Sequence, residues 1–346
     1  MVPHSRPTTG EEEAEAAAQA IRSGQMVDGL QTRAFEQAVA GQTGTAWGIA
    51  VTSGTTALHL ALLGLGVGAG DRVVLPSFVC VALLHAIRYV GAEPIVVDVD
   101  PETMNLDPDA LKHTAPAGLK AVIVPHMFGL PAPVDAILSL GIPVIEDCAL
   151  AIGATDHGRP VGGQGSLGIC SFYATKMLAT GEGGMVVGQD SALEARIQDL
   201  RDYDQPDGKT LRFNYKMTEM QAAMGMVQLQ RLPSFIERRR EIAGRYYTDL
   251  KDLNLSLPVD SPAGTHIFYR YVTRTSQQID PLIERLEQEG VACRRPVSQP
   301  IHRLIDQAPF PGADAVFDQA LSIPIFPSLT DGEYTTVVQA LQRVIS

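Results

Sequence analysis

The sequence predicts an α/β protein: a mainly parallel sheet covered by helices on both faces, followed by a smaller α+β unit. Three observations carry this. From about residue 48 onward, short apolar runs (GIAVT, RVVLP, PIVVDV, AVIVP, IPVIED) alternate with helix-like segments, the rhythm of repeated βαβ units. Those runs lack polar alternation, as strands buried on both faces do. From Met217 to Leu250 the pattern is helical throughout, and the remainder changes character. At 346 residues the chain exceeds one ordinary core, and the division expected is a large domain over residues 1–240 and a small one over 241–346.

Element by element, Thr9 to Glu13 resembles a helix start, with acidic residues in the first turn and EAEAAAQAIRS behind it. A second helix is expected over Thr32 to Ala40. The βαβ series follows. ICSFYAT and GGMVVG then read as two strands flanking the loop KMLATGE. The long helix is expected to break once, at Pro233. Beyond it come an aromatic-rich strand (HIFYRYVT), a helix (DPLIERLEQEG) and a terminal helix after SLTDGE.

Composition narrows the class. A formal net charge of −12 argues against nucleic acid or anionic membrane as a partner. No stretch approaches the ~20 apolar residues of a membrane span, and the start MVPHSRPTTGEEE has no apolar leader core, so a cytoplasmic location is expected. Cys80, Cys148, Cys170 and Cys293 form no C-x-x-C pair and sit in apolar runs, which predicts buried free thiols in a reducing compartment. The eight histidines lack ligand spacing, so no metal is expected.

Four segments carry chemistry. In VTSGTTALHLAL a strand ends, Ser53-Gly54-Thr55 turns, and a helix begins near Thr56. Amides at a helix N-terminus beside hydroxyls make a phosphate site, although Ser-Gly-Thr alone reads equally as an N-cap. In IPVIEDCALAIGA, Asp147 falls at the carboxyl end of a buried strand, where open α/β sheets bind ligands. A carboxylate there needs a cation or donor to offset its desolvation. A protonated pyridine nitrogen would serve, although a helix cap or a buried ion pair would explain it as well.

In SFYATKMLATGEGG, Lys176 stands in a nearly uncharged stretch of small residues. A lysine in a partly desolvated pocket becomes a nucleophile able to form a Schiff base. Ser171 falls on the same side, and Gly181, Gly183 and Gly184 let the backbone pass close to a ligand. In RFNYKMTEMQAAMGMVQL, Asn214 precedes an apolar, small-residue helix suited to an interface. Phosphate turn, strand-end Asp, then lysine is the order expected of a fold-type-I pyridoxal enzyme, the aspartate-aminotransferase-like fold.

Along nearly the whole chain, from PHSRPTTGEEE through SGTTALHLAL, LPSFVCVALLHAI, IEDCALAIGA, SFYATKMLATGEGGMVV and FNYKMTEMQAAMG to IPIFPSLTDGE, the sequence resembles the DegT/DnrJ/EryC1/StrS aminotransferases. The resemblance implies a seven-stranded sheet and the cofactor pyridoxal 5′-phosphate (PLP), cycling through its pyridoxamine form. It implies that Lys176 links the cofactor and shuttles a proton, and that Asp147 pairs with the pyridine nitrogen. Ser53, Gly54, Thr55 and Ser171 would surround the phosphate, and Asn214 would reach the phosphate of a neighbouring subunit, making a homodimer with shared sites. His302, in PIHRL, resembles a position near the sugar. The implied reaction moves an amino group from glutamate or glutamine to a keto sugar, one linked to a nucleotide. Alternatives are a keto-cyclitol acceptor and a non-catalytic regulatory homologue that binds cofactor or sugar.

Departures are specific. Many relatives stack an aromatic residue on the cofactor where this chain has Cys80. They place Gln or His where it has Leu150, near the cofactor's 3-hydroxyl, and Arg is frequent where it has Lys216. Two further substrate candidates come from position alone. His126 follows a buried strand and either lines the substrate side or packs. One of Arg294 and Arg295, with Arg295 preferred, meets a substrate anion. The Arg238–Arg240 run reads as a solvated helix face.

Overall fold

Runs of Val, Ile and Leu bounded by turn residues become the strands of one central sheet, and the segments between them fold as covering helices. The computed structural model describes residues 1–114, 118–204, 208–259 and 266–345. The chain begins α1 (Glu11–Ser23), α2 (Leu30–Thr43), β1 (Trp47–Val51), α3 (Gly54–Gly64), β2 (Arg72–Pro76), α4 (Ala82–Tyr89), β3 (Glu93–Val97) and α5 (Pro108–Thr114). It continues β4 (Ala121–Pro125), α6 (Val134–Leu138), β5 (Val144–Asp147), a small hairpin β6 (Thr155–Asp156) and β7 (Arg159–Pro160), then β8 (Leu167–Ser171), β9 (Gly184–Gly188) and α7 (Ser191–Arg201). The last part is α8 (Glu219–Leu250), β10 (Tyr271–Arg274), α9 (Ile279–Gln288), α10 (Ile301–Leu304), α11 (Pro311–Gln319), β11 (Ala320–Ile323) and α12 (Asp331–Ile345).

The sheet has seven strands in the order β1-β9-β8-β5-β4-β2-β3. The pairs β2–β3, β2–β4, β4–β5 and β5–β8 are parallel. β9 runs against both neighbours, because no crossover helix separates it from β8. Strand residues alternate between two cores: Ile49, Val51, Leu75, Ile123, Ile145 and Ile169 on one face, and Ala50, Val122, Val124, Cys170 and Val187 on the other. Both faces are covered, hence the absence of polar alternation in the sequence.

A separate core joins Val2 to residues of α8, α9, β11 and α12. α8 passes between cores: Ala222 and Leu232 pack on the sheet side, and Ile242, Tyr246 and Leu250 in the C-terminal core. Val272, Val297, Ile301, Val316 and Ala320 instead belong to the sheet's core, so the C-terminal part is welded to the large one. Among the described residues no helix is long and apolar enough to cross a membrane.

Four sequence expectations are corrected. α8 runs unbroken through Pro233, held by the buried Leu232 and Phe235 on either side. HIFYRYVT is a strand only from Tyr271, because Phe268 takes a left-handed φ of 49° and the Ile267 amide bonds Gly129 O at 3.0 Å instead. The Arg238–Arg240 run is a solvated face only in part: Arg240 is exposed and Arg238 half-buried, but Arg239 is buried, donating to three backbone carbonyls, and Arg238 and Arg240 donate to Leu329 O and His266 O. Cys148, Cys170 and Cys293 are buried, but Cys80 is exposed.

Candidate active site

The parallel strands deliver their carboxyl ends to one side of the molecule. Asp147 ends β5 and lies level with Pro125 of β4 and Ile169 of β8. Ser171 of β8 lies level with Gly184 of β9, which lies level with Val51 of β1. Four strands therefore end, and β9 begins, around the region where α/β sheets hold ligands.

β1 leads directly into the Ser53 turn. α3 begins at Gly54, two residues earlier than expected, with Ser53 as its N-cap: Ser53 Oγ accepts the Thr56 amide at 3.1 Å. The amides of Gly54 and Thr55 precede that capped position and have no intrahelical partner. A side chain at Gly54 would put its Cβ 2.7 Å from Ser171 Cβ, so only glycine lets the turn close on β8. At Gly184 a Cβ would clash with the backbone of Ser53 and Gly54. The result is a set of half-buried amides beside the buried Ser171 hydroxyl, at the positive end of an eleven-residue helix, an arrangement that holds anions.

Asp147 is 6% exposed, and the Ala149 amide, donating to Oδ1 at 2.9 Å, gives it its one hydrogen bond among the described residues. Burial pushes its carboxyl up, against the pull of that amide and of the Lys176 and His126 charges. Glu146, its neighbour, faces the opposite side. Glu146 accepts the Gly162, Gln164 and Gly165 amides at 2.9, 2.6 and 2.7 Å and meets His126 Nε2 at 3.2 Å. Burial opposes it, but His126 and the backbone donors hold the Glu146 carboxyl below its usual range. His126, Glu146 and Cys148 bring ligand-type atoms within 4.8 Å of one another, yet the Glu146 oxygens are committed to these donors.

Lys176 lies in the turn after β8, its amide bonded to Tyr173 O at 2.8 Å. Its Nζ sits 5.5 Å from the centre of the Tyr269 ring, and Tyr269 Oη is 3.5 Å from Thr175 Oγ1. Burial acts to raise the Tyr269 phenol, but Lys176 and Arg270 bring it below its ordinary range. The guanidinium of Arg239, itself 4% exposed, fixes this segment through Phe268 O, Tyr269 O and Ile325 O at 2.9–3.2 Å. Burial lowers Arg239 to about 10, which leaves it charged at neutral pH. The aromatic-rich run was the only sequence signal for Tyr269, and nothing local connected it to Lys176.

The remaining candidates divide. Cys80 is exposed just beyond β2, Leu150 is half-buried between the two sheet cores, and Asn214 is exposed, bridged to Asp202. Lys216 bonds Asp202 Oδ1 at 2.8 Å. The three residues expected near a substrate are engaged inside the chain. His126 is fully buried with Nδ1 accepting the Ala132 amide at 2.9 Å and Nε2 on Glu146, which makes it a packed histidine. His302 is 1% exposed between Ser77 Oγ at 2.6 Å and Asp314 Oδ1 at 3.3 Å. Arg295 bonds Asp280 and Phe317 O and stacks on the Phe317 ring. A cavity of about 820 Å³ is lined by Arg240, Tyr247, Lys251, His266 and Phe268 and does not include Lys176.

Comparison with known proteins agrees with this geometry. The model of the DegT/DnrJ/EryC1/StrS aminotransferase family matches residues 7–342. The chain is 36% identical to a UDP-N-acetyl-3-dehydro-alpha-D-glucosamine 3-aminotransferase of Acidithiobacillus ferrooxidans, with 92% of this chain and 89% of the relative covered. It is 34% identical to a GDP-perosamine synthase of Caulobacter vibrioides, covering 90% and 89%. The crystal structure of the aminotransferase TlmJ from Streptoalloteichus hindustanus superimposes with a TM-score of 0.95 at 34% identity, covering 99% of this chain and 98% of that one. With a family match over residues 7–342 and relatives at 34–36% identity over about nine-tenths of its length, the chain belongs to the DegT/DnrJ/EryC1/StrS aminotransferase family.

Proposed function

We propose that this chain is a PLP-dependent aminotransferase that passes an amino group from glutamate or glutamine to a keto sugar carried on a nucleotide. The observation that carries the reading is Asp147: a buried, under-bonded carboxylate at a strand end, electrostatically coupled to Lys176. The residues fit the cofactor. The Gly54 and Thr55 amides and Ser171 would bind its phosphate in the cleft that a Cβ at Gly54 would fill. Asp147 would hold a proton at the pyridine nitrogen, a partner that relieves its desolvation. Cys80 and Leu150 would touch the ring, and the loss of a hydrogen-bonding side chain at Leu150 leaves the 3-hydroxyl without that partner.

When bound, PLP supplies an electron sink for the carbanion left at a substrate carbon. Lys176 would take the proton from the substrate Cα and return one at C4′, acting as base and then acid. Tyr269, packed under the lysine, limits where its amine can swing. Asn214, exposed on this chain, would complete the phosphate site of a second copy, so the working unit is a homodimer. Residues 1–240 would hold the cofactor and residues 241–346 would close over it. The nucleotide-sugar acceptor rests on the relatives, whose names specify UDP- and GDP-linked sugars.

The test is the absorption spectrum of purified protein supplied with PLP. A band near ~410–430 nm is expected, absent in Lys176→Ala and converted by glutamate toward ~330 nm. The glutamate-treated protein should then transfer its amino group to a UDP- or GDP-linked keto sugar. No band with added PLP would overturn the enzyme reading in favour of a binding role; a band with transfer only to a keto-cyclitol would overturn the sugar assignment.

A further inference from the structure

β1 is an edge strand, and its outward backbone groups need partners that no eighth strand among the described residues provides. Two side chains supply them. Glu36 Oε1 accepts the Ala50 amide at 2.8 Å, and Arg201 Nη1 donates to Ala50 O at 3.2 Å. Arg201 Nη1 also bonds Glu36 Oε1 at 2.8 Å, so the pair reproduces the donor and acceptor of a neighbouring strand. Arg201 is 2% exposed, and its second terminal nitrogen reaches Asp28 Oδ1 at 3.3 Å. Burial pushes the Glu36 carboxyl up, against the Ala50 amide and the Arg201 charge.

One outward step further, the partner changes. The Thr52 amide bonds Tyr215 O at 3.0 Å, and Val51 bridges Lys216. The segment carrying Asn214 therefore lies along the same edge. It is tied back to the end of α7 by Phe213 N to Leu200 O at 2.9 Å and Tyr215 N to Arg201 O at 3.4 Å. Tyr215 Oη also meets His59 Nδ1 of α3 at 3.2 Å. Arg201 thus acts twice: its guanidinium fixes β1 three residues before Ser53, and its carbonyl fixes the strip that holds Thr52 and presents Asn214.

We propose that Arg201, with Glu36, is a positioning residue for cofactor phosphate, setting as one rigid unit the Ser53–Thr55 turn, for this chain's own cofactor, and the Asn214 strip, for that of a second copy. The proposal rests on the cofactor reading above. It differs from a general structural role in that the consequence of loosening the pair falls on the phosphate and not on the aldehyde end, which Lys176, in the turn after β8, would hold.

Pyridoxal, which lacks the phosphate, separates the two. Wild type, Arg201→Lys and Glu36→Gln are each titrated with PLP and with pyridoxal, and the adduct on Lys176 is trapped with borohydride and located by mass spectrometry. Arg201→Lys keeps the cation but loses the fork. The expected result is a preference for PLP over pyridoxal that falls about tenfold or more in either variant, the loss of one charge-assisted contact, while pyridoxal capture stays within about twofold. Trp47, the chain's single tryptophan, is buried in β1, and its emission reports whether the strand remains folded. Equal losses for both aldehydes, an unchanged preference, or unfolding of both variants would overturn the positioning role. A wild type that captures neither aldehyde at Lys176 would instead overturn the cofactor reading on which it depends.

Discussion

Replacing Asp147 with Asn should move cofactor-free stability and cofactor affinity in opposite directions. In the chain alone the carboxyl is buried with one amide donor. Removing an ion from water costs several kcal/mol, and a charged hydrogen bond returns about 1.5–3 kcal/mol, leaving a deficit on the order of 1–2 kcal/mol. Asn keeps the shape and the acceptor for Ala149 without the charge. With about 2.1 cal/mol/K of unfolding entropy per residue over 346 residues, the variant should melt about 1–3 °C higher when free of PLP. The size of the gain depends on pH. A folded carboxyl raised above its ordinary 3.8 contributes stability that is complete below that value and lost as pH rises through the folded value. The advantage of the Asp147→Asn variant should therefore be absent in acid and grow toward neutrality. Affinity goes the other way: losing the partner of a protonated ring nitrogen should weaken PLP roughly 10- to 100-fold. Calorimetry of the cofactor-free proteins across pH, with a spectral PLP titration, reads both. A variant that melts lower at neutral pH without PLP, or binds PLP as wild type does, refutes the assignment.

Three further substitutions follow from the same geometry. Glu146→Gln presents an NH₂ to a site lined with donors and should cost about 3–5 kcal/mol by denaturant unfolding. Because the Glu146 carboxyl is depressed, its contribution is complete above the ordinary 4.5 and lost as pH falls through the folded value, so the variant's acid-unfolding curve should be flatter. Gly54→Ala pushes a methyl to 2.7 Å from Ser171 Cβ; overpacking of about 1–3 kcal/mol should open the turn and raise the PLP dissociation constant, measured by absorbance, about tenfold. Arg239→Met leaves three carbonyls without a donor, and hydrogen exchange at residues 267–271 should accelerate by about tenfold or more as the strap holding Tyr269 frees itself.

The strands were legible because burial on both faces writes itself as uninterrupted apolar runs, and Asp147, Lys176 and the Ser53 turn because each sits in a short segment of unusual composition. What escaped was set by distance along the chain. Arg201 reads as the basic end of an ordinary helix, and its contact with Glu36 spans 165 residues. Tyr269 reads as one more aromatic in a strand, yet Phe268 and the Gly129 contact turn that stretch out of the sheet toward Lys176. The Arg238–Arg240 run has a surface composition, and only the C-terminal segments folding against α8 give it carbonyls to hold. His126 stood out by its place after a strand and His302 by resemblance, and neither signal reveals whether both ring nitrogens already have partners.

Glu146 and Asp147 show what does separate scaffold from site. They are adjacent carboxylates on one strand, both buried, and the sequence separates them only by the place of Asp147 at the strand's end. Alternation sends them to opposite faces. On one face three backbone amides and an imidazole converge, and the carboxyl is held down; on the other a single amide is present, and burial drives the carboxyl up. Buried polar groups are costly unless satisfied, so a fold that keeps Asp147 under-bonded needs a partner from outside the chain. The cationic face of a ligand is such a partner, and the neighbouring Lys176, the Gly54 turn and Ser171 supply the other contacts a phosphorylated pyridine aldehyde would require. The donors around each buried carboxylate make the distinction: Glu146 has four, and Asp147, the carboxylate proposed to meet the cofactor, has a single amide among the described residues.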